Sequence, residues 1–484
     1  NDQILVACAT GELVTLPAAS GPSVQVLTIE PDLRDVVVDG DTIFVSKFRT
    51  AEILALTRSG TITNRVFLPG GTGPTAGPPS GSSPSAPAGG GGPAPLPASP
   101  SGGSVGGGFA GAELPAGSVA LAWRMRMTSD HQILAAYQAD STSFVPTTAG
   151  GYGGAGFTPP IVQTAVATVS PADMTTTLIG PVSGNVLPVD IVAAAGGVTN
   201  GAVVVAAGNW KSPQTPAYAN VGTSLGVAAA IEGQIIAAEL GQDGTLFLQS
   251  REPARLYLVT PGANGAGSPD VIRTTIALSD VSREDTGHTI FHTNSGGSLA
   301  CASCHGEGGD DAQTWNFNGS KPRRTPSLLG TVKGTAPYHW DADFPDLQAL
   351  VHDVYTGRMS GPVLAADQLV TLRTWLEQLP APKRAAVDPA AQARGEALFV
   401  GKAVCATCHS GPSYTNNATV DVGTGAALQV PPLVGVGARG PFMHTGCAAT
   451  LTERFTKCAT SAHGSTSNLT TSEVSDLVAF LSSL

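Results

Sequence analysis

The chain has 484 residues, and only 13% of them are charged, against about 25% in an average soluble protein, while Gly, Pro, Ala, Ser and Thr are abundant. A net charge of −11 comes from scattered acids without a run, so neither nucleic acid nor an anionic membrane is an expected partner. No stretch of about 18 uncharged apolar residues occurs, which argues against a transmembrane segment, and the length prior points to about three structural units.

In chain order, the first 280 residues hold short Val-, Ile-, Leu- and Thr-rich runs bounded by Gly, Asp, Asn and Pro, a pattern that predicts β-strands. These runs are Gln3–Ala7, Leu13–Leu16, Asp35–Val38, Thr42–Val45, Ile53–Thr57, Thr61–Phe67, Gln132–Tyr137, Val162–Val169, Ala202–Ala206, Gln234–Ala238, Leu246–Gln249 and Leu256–Val259. Asp39-Gly40 between two apolar runs is a hairpin signal. Strand pairs recurring over this length predict an all-β propeller of six or seven blades across 1–280, with a pair of β-sandwiches as the competing architecture. Residues 69–110 are almost entirely Gly, Pro, Ser, Thr and Ala without charge. Such a stretch cannot bury a core and predicts an exposed loop inserted between strands; residues 145–160 are a milder version.

Beyond residue 280 apolar side chains fall at three- and four-residue steps, predicting helices over Leu347–Tyr355, Ala366–Leu379, Pro389–Phe399 and Ser472–Leu484. Asp388 ahead of Pro389, and Thr470 or Thr471 ahead of Glu473, supply helix-start signals.

Four of the seven cysteines form two C-x-x-C-H motifs, Cys301-Ala302-Ser303-Cys304-His305 and Cys405-Ala406-Thr407-Cys408-His409. In this motif two thiols add across the haem vinyl groups and the adjacent His is delivered to the iron, so the macrocycle dictates the spacing. Two occurrences predict two covalently bound haem c groups; a zinc ion shared between the C-x-x-C pairs is the alternative. Haem attachment of this type takes place outside the cytoplasm, so a periplasmic or extracellular chain, with a signal peptide removed ahead of Asn1, is expected. In such an oxidising compartment Cys447 and Cys458 can close a disulfide. Cys8, after Leu5-Val6-Ala7, resembles a lipidation site, but a buried Cys at a first strand is the plainer reading.

The two motif-bearing halves match beyond the motif. Thr325-Pro326-Ser327-Leu328-Leu329-Gly330, then Ala336-Pro337-Tyr338-His339-Trp340, is echoed by Val430-Pro431-Pro432-Leu433-Val434-Gly435, then Gly440-Pro441-Phe442-Met443-His444. Two all-α cytochrome c domains over 281–385 and 386–484 follow from the repeat. Met359 and His463 each lie 54 residues after their motif histidine, at 305 and 409, so equivalent positions predict His305/Met359 and His409/His463 as axial pairs. His288, His292, His339, His352, Met443 and His444 are rival ligands. Thioether ligation raises a haem potential relative to bis-imidazole ligation, so electrons are expected to pass from the second haem to the first. Trp340 and His444 occupy matching places and are candidates to line the gap between the haems.

At these residues, together with Arg394-Gly395-Glu396-Ala397-Leu398-Phe399 and Phe442-Met443-His444-Thr445-Gly446, the region from about 280 to 484 resembles the bacterial dihaem cytochrome c peroxidase superfamily. The whole chain looks like a branch in which a propeller precedes the dihaem unit. The resemblance implies peroxide reduction or substrate oxidation at a haem with a labile ligand, but the chain departs from it twice. Arg358 stands where the peroxidases carry an acid before the Met, and Cys458 stands where they carry the second haem's Met. The expected function is therefore electron transfer with a redox partner protein or small electron carrier, the propeller serving as docking or scaffold module, with a peroxidase-like oxidoreductase as the alternative.

Overall fold

The computed structural model describes residues 3–70, 117–154, 159–194, 196–211, 215–221, 228–262, 268–317 and 322–484. The Gly- and Pro-rich stretch 69–110 lies almost wholly outside the described residues. The first part of the chain is a series of antiparallel sheets, each taken up in sequence order. Strands β1 (Gln3–Ala7), β2 (Glu12–Pro17) and β3 (Gln25–Thr28) form the first; β4 (Leu33–Asp39), β5 (Thr42–Lys47), β6 (Glu52–Leu56) and β7 (Ile62–Phe67) the second. The third holds β8 (Gly117–Met127), β9 (Ile133–Ser141), β10 (Val162–Val169) and β11 (Thr176–Val182). The fourth holds β12 (Ile191–Ala193), β13 (Ala202–Val205) and β14 (Tyr218–Val221), and the fifth β15 (Ile235–Leu240), β16 (Leu246–Ser250), β17 (Arg255–Thr260) and β18 (Val271–Ala277).

Strand alternation explains how the sheets stack. In the second sheet Phe44, Ile53 and Ala55 enter an apolar cluster shared with the third sheet, while Ile43, Val45, Leu54 and Leu56 enter one shared with the first. Successive side chains of a strand point to opposite faces, so a strand buried on both sides joins two cores. Further clusters lie between the third and fourth sheets and between the fourth and fifth. The first strands of successive sheets also touch: β1 with β4, β4 with β8, β8 with β12 and β12 with β15.

Six or seven blades are expected from the sequence, but the described residues of the first 280 form five sheets, and no closed barrel or ring is seen among them. Apolar runs report strands but not how many share a sheet; two of the five sheets have only three.

The remainder is helical: α1 (Thr286–His292), α2 (Cys301–Cys304), α3 (Leu347–Leu350), α4 (Ala366–Glu377), α5 (Pro389–Val400), α6 (Leu451–Thr456) and α7 (Thr471–Ser482). Asp388 and Thr470 cap α5 and α7 as their sequences specify, with Glu473 completing a capping box at α7. Helix α3 runs on as a π-helical segment, Val351–Arg358, which ends at Met359; π segments concentrate at functional sites. No helix among the described residues is long and apolar enough to cross a membrane.

One apolar cluster unites Phe48, Leu121, Trp123 and Leu187 from the β region with Phe291, Leu299, Tyr355, Met359 and Leu372 from the region beyond residue 280. A separate cluster, containing Phe399, Leu451, Leu477 and Phe480, forms the core around α5, α6 and α7. Helices α5 and α7 cross closely at Gly395, where a Cβ would stand 2.0 Å from the Asp476 carbonyl oxygen. Arg394 clamps the same crossing with two bonds to the Asp476 carboxylate, 2.8 and 2.7 Å.

Candidate functional site

At the first motif, α2 presents Cys301 and Cys304 and ends on His305, whose Nδ1 lies 3.3 Å from the Gly309 carbonyl. That contact orients the ring and leaves Nε2 for another partner. Both thiols are free, and burial pushes the Cys301 thiol up to about 12. Met359 is buried in the same apolar cluster as Cys301 and Tyr355. Its backbone is pinned on both sides, the amide donating to Val354 and the carbonyl accepting from Ser295 Oγ at 2.6 Å. Arg358, the residue ahead of it, is committed elsewhere, 2.6 Å from Asp353 and 3.2 Å from the Tyr152 hydroxyl.

The second motif begins five residues after α5 ends at Val400, and His409 Nδ1 lies 3.1 Å from the Tyr414 carbonyl. His463 faces it: the ring centroids are 6.3 Å apart with planes 23° from parallel. Each ring centre thus stands about 3 Å from the midpoint, the reach of a metal–imidazole bond of about 2 Å taken from the middle of the ring. Burial, with Arg454 and His409 adding to it, pushes His463 down to about 3, so the ring is neutral. Its Nδ1 is buried without a hydrogen-bond partner.

Both histidines, Cys405 and Cys408 line a cavity of about 330 Å³ that extends to the first half at Pro326, Leu328 and Tyr338. Its wall carries three arginines, Arg324, Arg439 and Arg454, and no acid. Arg324 Nε, Arg439 Nε and Arg454 Nη1 are buried without a hydrogen-bond partner, and burial pulls Arg439 down to about 10. Buried cations require a counter-charge; Arg324 has Asp310 at 2.7 Å, whereas among the described residues no ion pair is seen at Arg439 or Arg454. An apolar cavity with orphaned guanidinium nitrogens, two free thiols and facing imidazoles fits a planar, largely apolar macrocycle bearing acid groups, which is the description of haem.

Trp340 and His444 come together at the join of the halves, ring centroids 6.1 Å apart and edge to face. Trp340 Nε1 donates to the Arg324 carbonyl at 2.7 Å, and the Arg324 amide donates to the His444 carbonyl at 2.6 Å. Among the rival ligands, His339 lies 3.2 Å from Asp343, and it lines the cavity with Met443. His288 and His292 stack on each other on α1 at 4.0 Å and meet Trp375. His352 is exposed. No group of three or more His, Cys, Asp and Glu that could hold a metal ion occurs among the described residues, so the two C-x-x-C pairs do not converge on one zinc. Cys447 and Cys458 form a disulfide with Cα atoms 6.2 Å apart. Cys8 follows β1 and is half-buried.

Sequence reasoning missed the polar residues around the first motif. Gln138 and Asp140, two apart on β9, are both buried, as is Asp311. Both oxygens of Asp140 and one of Asp311 lack a hydrogen-bond partner, and burial drives both carboxyls upward, Asp311 to about 7. The available signal is two polar side chains at strand spacing at the end of the apolar run that begins at Ile133, within Ile133–Ser141.

No family model matches the chain. The methylamine utilization protein MauG of Methylorubrum extorquens is 27% identical, over 31% of this chain and 60% of that protein, so the chain spans less than two thirds of that relative. Among solved structures, a hydrazine synthase chain of Kuenenia stuttgartiensis is 18% identical with a TM-score of 0.36, covering 43% of this chain and 89% of that one. A MauG-like protein associated with microbial copper homeostasis is 17% identical with a TM-score of 0.32, covering 43% and 91%.

Proposed function

We propose that the chain is a dihaem c-type cytochrome that carries electrons between extracytoplasmic redox partners, with a propeller over 1–280 followed by cytochrome c domains over 281–385 and 386–484. The observation that carries this reading is the His409–His463 pair, parallel within 23° and 6.3 Å between centroids across a cavity that also receives Cys405 and Cys408. Cys301, Cys304, His305 and Met359 hold the first haem in this reading, and Cys405, Cys408, His409 and His463 the second. Bound haems supply reversible one-electron chemistry, with the Met-ligated one at the higher potential, which orders transfer from the second motif toward the first. The chain's own part is to fix that order and exclude water. Met359 is immobilised through its backbone, Arg439 and Arg454 would offset the acid groups of a bound macrocycle, and Trp340 and His444 meet at the join of the halves.

A second reading, peroxide reduction or substrate oxidation at the first motif, draws on Asp140 and Asp311, two carboxyls that burial drives upward, Asp311 to about 7, where a carboxyl can keep or release a proton near neutral pH. Electron paramagnetic resonance and visible spectra of the oxidised protein separate the two. Two low-spin signals are expected for electron transfer; a high-spin signal that responds to peroxide overturns it in favour of the enzyme. A purified chain, matured in a host able to attach haem, whose mass shows no added porphyrin and which has no Soret band refutes both.

A further inference from the structure

The two motif-bearing halves repeat each other, yet their surroundings differ. At the first motif Ala302 and Ser303 are fully buried, whereas at the second Ala406 is half-buried and Thr407 exposed. What covers the first motif is the β region. Gln138, 1% exposed, donates from Nε2 to the Ser303 carbonyl at 2.7 Å, and its Oε1 accepts from Trp123 Nε1 at 3.3 Å. Trp123 in turn packs edge to face on Phe48 at 4.9 Å.

The hold continues along the chain after the motif. A Cβ at Gly306 would stand 3.0 Å from the Leu121 methyls and 3.2 Å from Phe48, and the second half, open at this place, carries Ser410 instead. Arg34 pairs with Glu307 at 2.5 Å and Arg49 with Asp310 at 3.3 Å. Gln313 bonds to Ser118 Oγ at 2.7 Å and to the Val119 carbonyl at 3.2 Å. Residues 303–313 are therefore gripped from β4, the β5–β6 turn, β8 and β9.

We infer that the β region is a built part of the first haem site, with Gln138 a positioning residue that fixes the Cys301–His305 turn through the Ser303 carbonyl and so sets the properties of that haem and not of the second. The inference rests on the cofactor reading above and extends it, since docking or scaffolding alone requires no side chain inside the motif. Groups behind a ligand orient it, and hydrogen bonding and burial tune a haem potential. Removing the side-chain donor that Gln138 supplies to the Ser303 carbonyl takes a hydrogen bond from a buried acceptor and frees the turn to shift.

The test uses the full chain with both haems attached. Mass and pyridine haemochrome of the wild type establish haem content, and a spectroelectrochemical titration resolves two potentials. Gln138→Met, nearly equal in volume but without donor or acceptor, is expected to change the first haem's reduction equilibrium by at least tenfold, about 59 mV for one electron. Its paramagnetic resonance signal should shift too, while the second haem stays within error. Arg34→Gln, which removes the ion pair to Glu307 and the guanidinium over the Phe48 and Trp123 rings but no apolar side chain, should give a smaller shift confined to the same haem. It keeps the test open if Gln138→Met does not fold. A wild type without haem overturns the cofactor reading and this inference together. Two resolved wild-type potentials that neither variant moves, or that both move equally, overturn this inference alone.

Discussion

The close crossing at Gly395 ties helix packing to the second site, because α5 leads into Cys405 and α7 follows His463. Gly395→Ala places a Cβ 2.0 Å from the Asp476 carbonyl oxygen and 2.7 Å from Phe480 Cβ, where carbon–oxygen contacts normally need about 3.3 Å. The helices must separate by about 1 Å, because the obstacle is backbone and no rotamer relieves it. Overpacking a tight core costs about 1–3 kcal/mol, and the rigid obstacle puts this substitution at the upper end, about 3 kcal/mol. Separation also stretches the Arg394–Asp476 clamp and loosens the Phe399–Phe480 contact, 5.1 Å between centroids. The expected outcome is a lower urea midpoint for the transition reported by the second haem's Soret band, with a growing high-spin fraction as His463 loses register with His409. A variant within about 0.5 kcal/mol of wild type, the ordinary range for harmless surface changes, and still fully low-spin would refute the packing argument.

His463→Ala should convert the second haem to high spin and leave the first haem's spectrum unchanged, read by low-temperature paramagnetic resonance; an unaltered low-spin pair would rule His463 out as a ligand. Asp311 titrates at about 7 in the folded chain, against about 3.9 when unfolded. The folded state therefore keeps a proton that the unfolded chain releases, and stability falls as pH rises from about 4 through 7. Asp311→Asn should flatten that fall in a pH series of urea midpoints, and an unchanged slope would exclude Asp311 as its source. Cys458→Ser opens the link to Cys447, 11 residues away, and should cost about 2–4 kcal/mol. Peptide mapping without reduction should recover the two cysteines in one species from wild type only.

The haem-motif half was largely legible because its signals are local. The two C-x-x-C-H spacings, the Asp388 and Thr470 caps and the three-to-four periodicity place α4, α5 and α7 within two residues of their observed ends. Helices α1 and α6 escaped notice, being seven and six residues long, too short for a periodicity to show, although Thr450 and Glu453 carry a capping signal. Strand β8 was missed because Arg124 and Arg126 interrupt its apolar alternation. Both find partners far away in sequence, in Asp35, Asp190 and Glu239, and no local rule foretells that. The same holds for Gln138 and Asp140, whose roles exist only once β9 lies against the first motif.

Arg49 touches all three regions of the chain. Its guanidinium reaches Asp32 beside β4, Asp310 after the first motif and the Gly440 carbonyl in the second half, at 3.2, 3.3 and 2.8 Å. Asp310 also takes Arg324 at 2.7 Å. A rivet of this kind ties both motif-bearing halves to each other and to the β region, and under the proposed electron-transfer role it would hold the span between the two sites. Cutting the chain ahead of α1 would strip that rivet away.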